Sequence, residues 1–150
     1  MSENEFKPIV RVGDVDLSGE KTVPYALADI KGIGVNTAFA LCRKLDININ
    51  RRLGELSESE LRKIDHVVRN LASLGFPGWF LNRPRDPEVG KDLHLITSEL
   101  LLKVKMDIEL QKKIRSWRGI RHMFGLKVRG QRTRTTGRTG ITVGVSRRKR

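Results

Sequence analysis

Between residues 57 and 75 the apolar positions recur at the three- and four-residue spacing of one helix face: Leu61, Ile64, Val67, Val68, Leu71 and Leu74. Ser57, with Glu60 three residues on, forms a capping box that predicts where this helix starts, and Gly75 is placed to end it. The same reading predicts an earlier helix from Thr22, with Pro24 tolerated in its first turn and Ala26, Leu27 and Ile30 behind it. A second follows, its apolar face made of Ala38, Leu41, Cys42 and Leu45. Ahead of both, Ile9-Val10-Arg11-Val12 and Asp16-Leu17 alternate around Gly13-Asp14, the pattern of a short strand or an extended arm. Gly75-Phe76-Pro77-Gly78 reads as a turn. Trp79-Phe80-Leu81 and Leu93-His94-Leu95-Ile96 then read as two short strands around a charged loop containing Pro84, Pro87 and Gly90, a small β-hairpin insertion. Thr97 caps a long helix whose Leu100, Leu101, Val104 and Ile108 predict a core-facing side. Beyond Ile108 that stripe thins, and from Gly125 onward there is no periodicity. The expectation is a mainly α fold: a globular helical domain over residues 1–96, a long helix and a basic helix over 97–124, and an extended arm over 125–150.

Charge sharpens this division. The first 109 residues hold 16 basic and 17 acidic side chains, whereas the 41 that follow hold 14 Lys and Arg and no Asp or Glu. The net charge of +13 is therefore a near-neutral body, at −1, joined to a tail of +14. A solvated segment of one sign repels itself and gains shape from a polyanion that neutralises it. Nucleic acid is the first candidate, since each Lys or Arg that displaces a condensed counterion at a phosphate contributes to binding. A solubilising or localisation tail is the alternative. With 38% apolar residues and eight aromatics, the chain can build a modest core over its first two-thirds. The longest pure apolar run, Leu100-Leu101-Leu102, is far too short to cross a bilayer. The acidic opening Met1-Ser2-Glu3-Asn4-Glu5 is unlike a secretory n-region, so a soluble intracellular protein is expected.

Lys31-Gly32-Ile33-Gly34, set between two short amphipathic helices, resembles a helix–hairpin–helix turn. Glycines there let the backbone turn tightly and approach a phosphate without a Cβ in the way, and the next helix presents its free N–H groups and positive dipole end. Lys31 adds a mobile charge; the alternative is a plain connector. The basic tail reads as a phosphate-contacting arm. Its Arg excess favours bidentate contacts, and Thr133, Thr135, Thr136, Thr139 and Thr142 supply hydroxyls suited to phosphate and ribose oxygens. Residues 125–150 hold no Phe, Tyr or Trp, so stacking of bases on aromatics is not expected in that arm. If about 6–10 phosphates are neutralised, affinity should fall about 10³–10⁵-fold between 50 and 200 mM salt. No metal site is expected: Cys42 is the only cysteine, and His66, His94 and His122 lie far apart without a partner at ligand spacing. His66 is placed at a helix edge, and His122 against RNA or a backbone carbonyl. Asp14 with Asp16 reads as part of a turn and Glu58 with Glu60 as a helix first turn, not as paired catalytic carboxylates. Phe76, Trp79 and Phe80 read as a satellite apolar cluster. P-loop, Gly-x-Ser-x-Gly and His-Glu-x-x-His patterns are absent from the sequence, and neither a catalytic set nor a cofactor is expected.

The run Arg118-Gly119-Ile120-Arg121-His122-Met123-Phe124-Gly125-Leu126-Lys127-Val128-Arg129-Gly130-Gln131-Arg132 resembles the signature of the ribosomal protein S-thirteen family, and Thr133-Arg134-Thr135-Thr136-Gly137-Arg138-Thr139-Gly140 continues it. Upstream, Ile30-Lys31-Gly32-Ile33-Gly34 followed by Ala38 resembles that family's helix–two-turn–helix core. The charged segment around residues 82–95 and the longer ending are similar to the archaeal–eukaryotic branch, with an archaeal-type member preferred. The resemblance implies a non-enzymatic, cytoplasmic, ribosome-associated protein of the small-subunit head. Implied partners are small-subunit rRNA, peptidyl-site tRNA, the neighbouring head protein S-nineteen, and the large-subunit protein L-five with rRNA at inter-subunit bridges. It places RNA contacts on Arg118, Arg121 and His122 of a signature helix and on Arg129, Gln131, Arg132, Arg134, Arg138, Arg147, Arg148, Lys149 and Arg150 of the arm. Lys112, Lys113 and Arg115 lead into that surface, and Lys31, Gly32 and Gly34 face either RNA or protein.

Two readings from other classes stand beside this one. Base-excision glycosylases also carry helix–two-turn–helix domains, but such an enzyme uses an N-terminal Pro amine as nucleophile, and here Ser2 follows Met1 and the first Pro is Pro8. A DNA-compacting basic protein would bind duplex DNA as tightly as structured RNA.

Overall fold

A computed structural model describes residues 6–136, in two compact units that divide between Lys103 and Val104. The expected mainly α fold is found. In the first unit the opening alternation resolves into a hairpin: β1 (Ile9–Val12) pairs antiparallel with β2 (Val15–Ser18), Val12 opposite Val15. Gly13 and Asp14, at φ 58° and 64°, form the two-residue turn whose left-handed backbone matches strand twist. Val10, Val12 and Leu17 point into the core.

Helix α1 (Val23–Leu27) starts after Thr22 with Pro24 in its first turn, as expected, and α2 (Val35–Lys44) buries Ala38, Leu41 and Cys42. Their buried faces meet the hairpin and α3 (Glu58–Arg69) in a core centred on Leu17, Leu27, Ile30, Leu41, Leu53 and Ile64. Each such side chain contributes roughly 1.5–3 kcal/mol by leaving water. The capping box at the start of α3 is complete. Ser57 Oγ accepts from the Glu60 backbone N–H at 3.3 Å, and the Glu60 carboxylate accepts from the Ser57 N–H at 2.8 Å. That last bond, above all, holds the Glu60 carboxyl below its usual range. The helix ends sooner than its periodicity predicts. Asn70 closes it, Leu71–Leu74 tighten into a 3₁₀ turn, and left-handed Gly75 (φ 73°) ends that turn.

The expected strands at 79–81 and 93–96 do not form a sheet. Gly78–Phe80 is a 3₁₀ turn, and the backbones meet in a single antiparallel bridge between Arg83 and Leu93. Pro84 and Pro87 lack the N–H that would extend a ladder. A side chain takes the partner strand's place: the Asn82 amide donates to the Leu95 carbonyl at 2.7 Å and accepts from the Leu95 N–H at 2.9 Å. The intervening loop closes on Asp86, the one charged side chain buried in this unit's described residues. Its carboxylate accepts from the Glu88 and Val89 N–H groups at 2.8 and 3.4 Å and from Arg83 Nε at 2.5 Å. These bonds, led by that from Glu88, bring the Asp86 carboxyl down to about 2. The expected Phe76–Trp79–Phe80 cluster does form, with Phe76 and Phe80 stacked at 4.9 Å, but it lies at the surface and Trp79 is 82% exposed.

Helix α4 (Thr97–Lys113) is the long helix predicted, yet none of its residues is buried and Val104 is 46% exposed. The expected core face of Leu100, Leu101, Val104 and Ile108 is therefore corrected. Leu100, Leu101 and Leu102 are consecutive and so spread around the axis, and with Met106 and Leu110 the apolar residues make a broad collar rather than one stripe. The second unit continues through a left-handed Arg115 (φ 55°) into α5 (Trp117–Met123). Among the described residues no helix is long and apolar enough to cross a membrane.

Candidate nucleic-acid interface

The basic surface of the second unit is organised by a tight joint between α4 and α5. Ser116 caps α5, its Oγ accepting from the Gly119 N–H at 3.0 Å and donating to Gln111 Oε1 at 2.7 Å. Gly119 is buried because backbone stands where its side chain would be: a Cβ there would lie 2.1 Å from the Gln111 carbonyl oxygen. Lys112 and Lys113 occupy the last turn of α4, where the helix dipole favours positive charge.

On α5, Arg118 and His122 are four residues apart and share a face. Together with Val128 and Arg129 of the following segment they line a cleft of about 640 Å³. The chain is folded back there by Arg121, whose Nε donates to the Lys127 carbonyl at 2.6 Å, and by Gln131, whose side-chain oxygen accepts from the Arg129 N–H at 3.0 Å. Three sequence-predicted residues thus converge on one cationic cleft, with Arg121 and Gln131 bracing it. Such a cleft can hold an anion with planar, bidentate donors. Arg132 and Arg134 follow on an exposed, irregular segment. Arg138, Arg147, Arg148, Lys149 and Arg150 lie outside the described residues.

Lys31, Gly32 and Gly34 belong to the first unit. Gly32 has φ 104°, and a Cβ there would sit 2.5 Å from the Leu95 carbonyl oxygen, so the clearance it provides is occupied by this chain's own backbone. Segment 94–97 also engages the turn's carbonyls. The Thr97 N–H donates to the Lys31 carbonyl at 2.8 Å, and His94 Nε2 lies 3.0 Å from the Gly32 carbonyl. Because His94 Nδ1 accepts from the Asn82 N–H at 3.3 Å, Nε2 carries the proton, and burial pushes the imidazole pKa down. Gly34 differs: it is the N-cap residue of α2, exposed, with no atom within 4 Å of where its Cβ would be. Lys31 is exposed beside it.

Sequence reasoning passed over Trp117, which is 73% exposed at the start of α5 with the Arg121 guanidinium 5.8 Å above its ring. An aromatic residue between Arg115 and Arg118 was the available signal. It also passed over Asn82 and Asp86, whose roles depend on partners that spacing does not reveal. His66 is exposed on α3, as expected. No cluster of metal-ligating side chains is present among the described residues.

A family model described as "Ribosomal protein S13/S18" matches residues 11–139. Among curated proteins the chain is similar to "Small ribosomal subunit protein uS13" of Pyrobaculum calidifontis, 60% identical over 145 residues, which is 97% of this chain and 94% of that one. The protein so named from Thermofilum pendens is 61% identical over 97% of this chain and 92% of its own length. That of Hyperthermus butylicus is 54% identical over 100% and 99%.

Proposed function

Because this chain belongs to the ribosomal protein S13/S18 family, as a structural, non-enzymatic component of the archaeal type, we propose that it anchors itself in small-subunit rRNA through the cationic cleft of α5 and the basic segment after it. The carrying observation is the convergence of Arg118, His122 and Arg129 on one cleft inside a stretch that has no acidic residue after Glu109. The near-neutral body supplies the protein-facing part, and residues 125–150 act as the RNA-binding arm. Gly34 and Lys31 are the portion of their turn left open to an anion or a partner.

The resemblance of residues 118–140 supports a finer placement. The protein sits in the head of the small subunit beside S-nineteen, bridges to L-five and rRNA of the large subunit, and directs its arm toward peptidyl-site tRNA. Function is positional: the arm and cleft fix the body, and the body tolerates rotation between subunits. The test is sedimentation of cell extract through a sucrose gradient after a high-salt wash. Co-migration with small subunits is expected, while release to the top of the gradient overturns the reading. Equal affinity for duplex DNA and structured RNA in competition would favour a general DNA-compacting role instead.

A further inference from the structure

Two stripes lie side by side on α5, because successive residues of a helix are about 100° apart. One carries Arg118 and His122 into the cleft already described. The other carries Trp117, Arg121 and Phe124 at i, i+4 and i+7, and its aromatic members are 73% and 72% exposed. Both rings belong to the part of the chain with no compensating acid.

We propose that Trp117 is a stacking platform for an unpaired RNA base, a role that rests on the RNA reading above and adds to it a contact that discriminates single-stranded from paired nucleotides. The helix turn that carries the indole is held in place before any ligand arrives. Ser116 caps the helix that begins with it, and Gly119 seats that helix directly on the Gln111 carbonyl. Arg121 is itself fixed by its bond to the Lys127 carbonyl, and from there it lies over the Trp117 ring. A guanidinium over the indole leaves most of the ring surface free for a second π-system. An apolar protein surface is the poorer occupant: covering Trp117 would strip water from Arg115, Arg118 and Arg121 without supplying counter-charge. A nucleotide brings an aromatic face for the indole and a phosphate for those cations in one residue. Duplex RNA offers the phosphate alone, since its bases are already stacked on one another.

The test uses the full-length chain carrying Trp79→Phe, which leaves Trp117 as the only tryptophan. Circular dichroism first establishes that each variant retains its fold. The protein is titrated with an oligoadenylate and, separately, with an RNA hairpin whose stem is fully paired and whose loop is a non-nucleotide linker, bearing the same number of phosphates. Indole fluorescence and RNA anisotropy are read together. Quenching by the oligoadenylate, with little by the hairpin, is expected. Adding W117A should weaken oligoadenylate binding about tenfold, leaving hairpin affinity and the dependence of log K on log salt unchanged, because no charge is removed. W117F should retain most of the affinity. Oligoadenylate binding without quenching, equal quenching by both RNAs, or full affinity in W117A each overturns the platform while leaving RNA binding intact. Failure of both RNAs to bind in a salt-dependent way removes the platform and the RNA reading together.

Discussion

Glycines 32 and 34 stand two positions apart in one motif and have different physical jobs. Gly32 combines a φ of 104° with backbone atoms of Leu95 and Ile96 where a side chain would go, so Gly32→Ala meets both strain and a clash. It should destabilise the protein by at least about 2 kcal/mol, seen as a lower denaturant midpoint. Gly34→Ala meets open space at an ordinary φ of −89° and exchanges one uncapped N-terminus for another, which costs about 1 kcal/mol or less. Equal losses in the two variants would refute this division. Asp86 makes a second residue-scale case, with a pH signature. Its carboxyl sits at about 2 in the folded protein, against about 3.9 in an unfolded chain. As pH falls the unfolded chain takes up its proton first, so this group's contribution is complete above about pH 4 and is lost as pH approaches about 2. Asp86→Asn should therefore lower the melting temperature by several degrees at pH 7. Its gap to the parent should close as melts are taken down toward pH 2; a gap constant with pH would mean that the charge is not what holds the loop.

At the scale of elements, the start and the buried face of α3 were legible because a capping box and an apolar stripe fall within one window, whereas its end was not, since Asn70 closes the helix and Gly75 ends the 3₁₀ turn after it. The hairpin at 9–18 was half-legible, as Gly13-Asp14 marks a turn, but pairing also needs the clamp that α3 provides. Asp65 accepts from the Gly13 N–H at 2.8 Å, and Arg69 donates to both oxygens of Asp14, which lowers the Asp14 carboxyl pKa. The segment 79–96 was misread because alternation predicts strands whatever satisfies their backbone. Here an asparagine side chain and a buried aspartate do so. The burial of α4 was misread for a related reason: periodicity places an apolar face without saying what covers it. The cationic residues of the interface were legible as charge, whereas their convergence on a cleft was not, since it depends on the joint that seats α5. That joint yields its own prediction. Gly119→Ala puts a Cβ 2.1 Å from the Gln111 carbonyl oxygen and 2.8 Å from the Lys112 nitrogen, both backbone atoms that cannot step aside without moving α5. The variant should lose more RNA affinity than Arg118→Ala although it removes no charge, and anisotropy titrations of the two compare them directly. Affinity unchanged in Gly119→Ala would show that the cleft does not depend on the seat.

For the whole molecule the governing fact is that charge and core are separated along the chain. Among the described residues the buried apolar ones lie between Val10 and Ile96, while the cations without acidic counterparts come after Glu109. Folding and RNA binding should then be separable by truncation. Removing residues 125–150 deletes nine of the 14 basic residues beyond Glu109 and, among the described residues, none of the core. Helical circular dichroism and the cooperative melt of the first unit should survive, because its described core residues run from Val10 to Ile96. Binding to small-subunit rRNA should weaken, and the slope of log K against log salt should become shallower, by about 0.7–0.9 for each phosphate that is no longer neutralised. What remains should come from the α5 stripe and from Lys112, Lys113 and Arg115, which the truncation spares. If the truncated chain instead unfolds, the arm is part of the fold. If it binds with an unchanged salt slope, the cations beyond residue 125 are not the ones that meet phosphate, and the cleft would have to be rebuilt from α5 alone.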